Sequence, residues 1–336
     1  MRAVKAVRAC LVTAAMLAAP SIRAEQTYLV IISGLGGDET HREHFHEWAL
    51  AMRDAALNKS GLSEDKIFYL SETPERAPGL IYGKSTKENI AALFEKIQAA
   101  VVPGDQLYVL LIGHGSFLSE QSRFNLPGPD LSAEDFDALL KPFTAQQIVF
   151  VNATSASGSF LPVLSGRRRI VVTATKSGYE RNESQFGKYF VEAYSGNEAD
   201  TDKNERVSVL EAYAYALNRV GAYYQEENIL QTEHAMLDDD GDGEGAHDPG
   251  ESEGDLASTT YLMGDVAAAT GLAGEAMGSS SELEALIAEK RELESRVVTL
   301  RDQKSSMPED LYLQELETVL LELAEVTERI EERRAP

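Results

Sequence analysis

The chain has 336 residues, 43% of them hydrophobic, and a formal net charge of −24 from 55 acidic side chains against 31 of Lys and Arg. So acidic a protein is a poor partner for nucleic acid or an anionic membrane surface, and divalent cations are the ligands it attracts. Its single cysteine, Cys10, excludes an internal disulfide.

Residues 1–24 carry Arg2, Lys5 and Arg8, then an apolar run from Ala9 to Ala19, then Pro20 and a small-residue end at Ala24. This is the layout of a secretory signal peptide, too short for a membrane span. Cleavage after Ala24, which would remove Cys10, and a periplasmic or secreted location are therefore expected. No later apolar run reaches membrane length, so no membrane insertion is expected.

From Tyr28 to about Tyr224, short apolar runs alternate with helical stretches. The runs are Tyr28–Ser33, Ile67–Leu70, Leu107–Ile112, Ile148–Val151 and Ile170–Thr173, and their continuous apolarity suits strands buried on both faces. Ser85 with Glu88, and Ser132 with Asp135, have the spacing of capping boxes that open helices at Ser85–Val101 and Ser132–Leu140. Strand and helix in alternation predict an α/β fold with a mostly parallel sheet covered by helices on both faces. Functional groups then gather beyond the carboxyl ends of the strands.

Past Tyr224 the character changes. The acidic, glycine-rich stretch from Asp238 to Asp255 has few apolar residues, so 237–280 is expected to be a linker or a metal-ordered loop. Residues 281–334 then show leucines at alternating three and four spacing, broken near Pro308, which predicts an antiparallel helical hairpin. Such a hairpin folds on itself or self-associates between chains.

Two strand ends carry the chemistry. Leu107–Ile112 leads to His114-Gly115-Ser116, and Ile148–Val151 leads to Asn152-Ala153-Thr154-Ser155-Ala156-Ser157-Gly158-Ser159. A histidine and a small hydroxyl-bearing turn at neighbouring strand ends form the arrangement of a base and a nucleophile. This pair of motifs resembles the legumain family of caspase-fold cysteine peptidases, in which a strand ending in His-Gly-Ser precedes one ending in Glu-Ala-Cys-Glu-Ser-Gly-Ser. The resemblance spans roughly Tyr28 to Tyr224 and implies a caspase-like domain over residues 25–236. It implies that His114 is the catalytic histidine, that Ser155 holds the nucleophile position and that backbone amides near Gly115 and Ser155 are the oxyanion donors. It places Arg42, Ala153 and Ser157 in the substrate groove.

The departures bear on activity. Serine replaces the family cysteine at 155, and Ala153 replaces a glutamate of the specificity pocket. A histidine can hold a thiolate, whereas a serine hydroxyl needs a base oriented by a third group, for which Asp105, Asp130 and Asp137 are the candidates. The expected function is an exported legumain-like protein, inactive or altered, that binds peptide or protein. The alternatives are an active serine-type peptidase or amidohydrolase using His114 and Ser155, and a coiled-coil assembly protein.

No cofactor is required by this chemistry, but two acidic segments invite calcium. Asp200, Asp202, Asn204, Arg206, Ser208 and Glu211 occupy the ligand positions of an EF-hand loop, with Glu205 where that loop has a glycine. Ser208 and Glu211 also have capping-box spacing. Asp238, Asp240 and Asp242 repeat the alternate-carboxylate theme without a clear closing glutamate. His41, His44 and His46 lack a fixed third zinc ligand, and Gly34-Leu35-Gly36-Gly37 is a tight turn rather than a complete phosphate loop.

Overall fold

The computed structural model describes residues 26–250, 253–263 and 307–334, with helical positions at 286, 289–290, 293, 296–297 and 300. The expected signal peptide and residues 264–285 lie outside the described residues.

In chain order the elements are β1 (Thr27–Ser33), α1 (Glu39–Asn58), β2 (Ile67–Ser71), β3 (Gly83–Lys84), α2 (Lys87–Gln98), β4 (Gln106–Ile112), β5 (Gly115–Leu118), β6 (Gln121–Phe124), β7 (Leu131–Ser132) and α3 (Ala133–Leu140). They continue with β8 (Gln147–Asn152), α4 (Leu161–Leu164), β9 (Arg169–Thr173), α5 (Phe186–Ser195), α6 (Val209–Glu226), β10 (Met236–Asp238), α7 (Asp255–Thr259) and α8 (Glu309–Arg334).

The main sheet has the order β10-β9-β8-β4-β1-β2-β3, a caspase-like layout in which every pairing is parallel except that of β10 on β9. Residues of β1 show why the apolar runs are continuous: alternate side chains enter opposite cores. Leu29 and Ile31 pack with Phe45, Met52 and Phe190 from α1 and α5. Tyr28, Val30 and Ile32 pack with Leu93, Phe94 and Phe136 from α2 and α3. Both faces are thereby covered, as parallel strands require.

The capping box at Ser132 and Asp135 is present. The one expected at Ser85 is not: the Ser85 amide donates to the Ser71 carbonyl, so the chain is still in strand pairing there. Thr86 caps α2 instead, accepting from the Asn89 amide.

The acidic stretch begins as structure rather than linker. Leu237 is buried in the main core. Asp239 accepts from the amides of Gly254 and Ala257 at the start of α7, and Ala257 and Leu262 join the same core. Buried carboxylates that collect backbone N–H groups hold this segment where apolar residues are few.

At the carboxyl end, Leu286, Leu293, Val297 and Leu300 pack against Tyr312, Val319, Val326 and Ile330. Ion pairs from Arg296 to Glu322 and from Arg329 to Glu289 give the antiparallel sense. Leu313, Leu320 and Leu321 point outward.

Candidate functional site

Strand register brings the two motifs together. Leu111 pairs with Asn152 across β4 and β8, so His114 and Ser155 each lie three residues beyond a paired position, at the carboxyl edge of the sheet. On the other side of β4, Ser33 pairs with Ile112, which sets the Gly34–Gly37 turn beside His114.

His114 is half-buried, edge-on to the rings of His41 at 4.8 Å and Phe45 at 5.1 Å. Burial, with the neighbouring His41, holds its pKa below the ordinary histidine value, while a hydrogen bond to the Gly36 backbone partly opposes this. The imidazole is therefore neutral at neutral pH and is oriented by backbone. None of the three candidate aspartates does this. Asp105 accepts from Gln26 and Val102 amides at the opposite end of β4, Asp130 accepts from the Leu126 amide, and Asp137 pairs with Arg169.

Ser155 is buried, and its hydroxyl is engaged by one residue. The Gly115 amide donates to Ser155 Oγ at 3.2 Å, and Oγ lies 3.3 Å from the Gly115 carbonyl oxygen, to which it donates. Among the described residues no hydrogen bond joins Ser155 to His114. The expected oxyanion donor, Gly115 N–H, is thus already used by the hydroxyl itself. A Cβ at Gly115 would lie 2.0 Å from the Ser155 carbonyl oxygen, so the approach requires glycine. The next residue, Ala156, has φ +53°, a conformation that non-glycine residues rarely hold.

The residues placed in the groove are differently employed. Ala153 is buried in the core, and a Cβ on Gly187 would sit 3.0 Å from its own Cβ, so no open pocket separates β8 from α5 there. Ser157 is fully buried, with its hydroxyl 3.1 Å from that of Thr175 and accepting from the Thr175 amide. Both serve packing and not an open groove. Arg42 is partly exposed, but its guanidinium lies 3.1 Å from Glu39 and 3.3 Å from Glu72, so two carboxylates already match its charge. The Gly36 amide donates to the same Glu72, which leaves an acidic group where a phosphate would have to sit.

The three histidines of α1 diverge. His41 bridges Asp38 at 2.8 Å and Glu183 at 3.3 Å, His44 stacks on Trp48, and His46 meets the Tyr69 hydroxyl. They do not converge as metal ligands. The carboxylates raise the pKa of His41 against its burial.

Sequence reasoning did not find the loop that follows β9. Phe117 of β5 packs on Gly178 and faces Tyr179 at 4.9 Å, leaving Tyr179 and Leu118 exposed beside the site. Glu180 and Glu183 in this loop reach His234 and His41. Their position beyond the carboxyl end of a parallel strand was the available signal. No family model matches the sequence, and no curated protein matches it.

The acidic loops form two trios, Asp200 with Asp202 and Glu211, and Asp240 with Asp242 and Glu253; within each, carboxylate oxygens lie within 4.8 Å of one another. In the first, Glu205 has φ +65°, the left-handed turn for which an EF-hand loop uses glycine. Asn204 binds Asp202 through its side-chain amide, the Arg206 guanidinium covers the Tyr261 ring at 4.2 Å, and Ser208 caps α6 in a box with Glu211. Burial raises Asp202, and Glu211 adds to this. Glu211 is held low because hydrogen bonds from Ser208 and Thr201 outweigh its burial. In the second, Asp238 is buried and accepts from the amides of Gly241 and Gly243, so it turns the loop while Glu253 supplies the closing carboxylate. Both donor sets are oxygen-only and suit a hard cation such as calcium.

Proposed function

We propose that this chain is an exported relative of the legumain-like peptidases that no longer activates a nucleophile and instead binds a peptide or protein at the edge where His114 and Ser155 meet. The observation that carries the reading is the Ser155 hydroxyl, which donates a hydrogen bond to the Gly115 carbonyl and accepts one from the Gly115 amide. A serine attacks when its proton is taken by an oriented base and when the oxyanion donors are free. Here the Ser155 hydroxyl bonds backbone in place of a base, and the Gly115 amide is engaged by that same hydroxyl, which supports the reading. The exposed Tyr179 and Leu118 beside the site support a binding role, since aromatic and apolar surface at a strand edge suits a peptide. Calcium in this reading is a structural ligand of the acidic loops, and residues 1–24 direct export.

The test is fluorophosphonate labelling of the purified protein, followed by its incubation with asparagine- and aspartate-containing peptides. No label at Ser155 and no cleavage, with saturable peptide binding that is lost in Tyr179→Ala, is the expected result. Labelling and turnover that vanish in both Ser155→Ala and His114→Ala would establish the serine-hydrolase reading in its place.

A further inference from the structure

Gly115 bonds the Ser155 hydroxyl and Thr175 bonds Ser157, while the residue between them, Ala156, is held by Glu180. The amide of Ala156 donates to the Glu180 main-chain carbonyl at 2.7 Å, and this is the residue at φ +53°. A left-handed alanine persists where its surroundings fix it.

Glu180 is in turn fixed through its side chain. Its carboxylate is only 12% exposed and receives the His234 Nδ1 at 2.5 Å, the His234 amide at 3.1 Å and the Lys176 amide at 2.9 Å, with the Lys176 ammonium at 3.7 Å. Charge-assisted bonds of this kind are about twice as strong as neutral ones.

His234 is a rigid post because both of its neighbours are anchored. Glu233 is buried and accepts from the Ser184 hydroxyl and the Gln185 and Phe186 amides at the start of α5. The Ala235 carbonyl accepts from the Tyr213 hydroxyl at 2.9 Å. The line of contact runs from α5 and α6 through His234 and Glu180 to Ala156.

We propose that Glu180 and His234 are positioning residues that hold the Ser155–Ala156 turn in its strained conformation and so set where the residue 155 side chain lies relative to Gly115. The proposal rests on reading that turn as the centre of the site. It adds a pair that lies outside both motifs in sequence.

Amide hydrogen exchange tests it without recourse to activity. The acceptor for Ala156 is a main-chain carbonyl and survives any side-chain change at 180 or 234, so lost protection reports lost positioning. In His234→Leu, protection of the Ala156 amide is expected to fall about tenfold, the scale of one charge-assisted hydrogen bond, while Val149 and Val151 in β8 stay protected. His234→Asn returns an N–H near the place of Nδ1 and should restore most of the protection. If His234→Leu does not fold, Glu180→Gln, which removes the charge and keeps the shape, is expected to show a smaller loss at the same amide. Unchanged Ala156 protection in the folded variants, or a loss spread equally over β8, overturns the proposal. Ala156 responding as described in a protein that binds no peptide would leave the positioning pair standing and reject the proposed function.

Discussion

Ser155 Oγ stands 3.2 Å from the Gly115 amide and 3.3 Å from the Gly115 carbonyl oxygen, so one hydroxyl bridges both polar groups of the residue that follows His114. Both bonds give Ser155 a part in holding the fold together. Ser155→Ala removes the partner of the amide and carbonyl of Gly115, which is only partly buried, so the cost is at the low end of about 1–3 kcal/mol. Chemical denaturation should show that loss, while any background peptide hydrolysis stays at the wild-type level. A variant as stable as wild type would remove the structural role.

Gly115→Ala probes the same contact from the other side. Its Cβ would fall 2.0 Å from the Ser155 carbonyl oxygen and 2.8 Å from the Thr154 hydroxyl. Backbone is a poor neighbour to displace, and overpacking of this kind costs about 1–3 kcal/mol or more. The midpoint of urea unfolding is expected to drop accordingly, and Gly83→Ala, with nothing near its added carbon, is the control that should not show it.

The strands that build the site were legible because burial on both faces writes itself as an unbroken apolar run, as in Leu107–Ile112. The capping boxes at Ser132 and Ser208 were legible because both partners lie within four residues. The strands β5 to β7 were not, since two to four residues carry no pattern and the turn at Ser119 and Glu120 uses left-handed backbone without glycine. β10 was hidden in acidic sequence. The sheet edge that carries His114 and Ser155 followed from strand order, but the choice of Ser155 Oγ between imidazole and backbone is made by the conformation of a single turn, which spacing does not encode. The Glu180 and His234 pair is 54 residues apart in sequence, a separation at which local spacing holds no information.

Glu253 gives the fold a pH dependence whose sign can be stated. Burial pushes its carboxyl up from 4.5 to about 7; Asp239, Asp240 and Asp238 add to the rise and the Asp239 amide opposes it. A group raised on folding contributes stability that is whole below the unfolded value and is lost as pH climbs through the folded one. In the presence of chelator, wild-type stability should therefore fall between about pH 4.5 and 7 more steeply than that of Glu253→Gln. Equal slopes in denaturant midpoints across that range would reject the raised carboxyl.

Calcium should add stability to the folded protein by mass action. A ligand that binds only the folded state at about one hundred times its Kd contributes about 2.7 kcal/mol, which a melting curve in millimolar calcium against chelator resolves. The two trios can be separated because their closing glutamates differ. Glu211 accepts from the Ser208 amide and hydroxyl through one oxygen and from the Thr201 amide through the other, and Gln keeps only one acceptor oxygen, so Glu211→Gln shifts stability even without metal. The informative quantity is the calcium-dependent increment, not the melting temperature itself. If the cation sits with Asp200 and Asp202, that increment disappears in Glu211→Gln and survives in Glu253→Gln. The reverse pattern assigns it to Asp240 and Asp242, where a bound cation would also stabilise ionised Glu253 and flatten the pH dependence described above. No increment in wild type would leave both trios as carboxylates satisfied by backbone amides, the Asn204 and Glu205 amides on Asp200 and the Asp239 amide on Glu253.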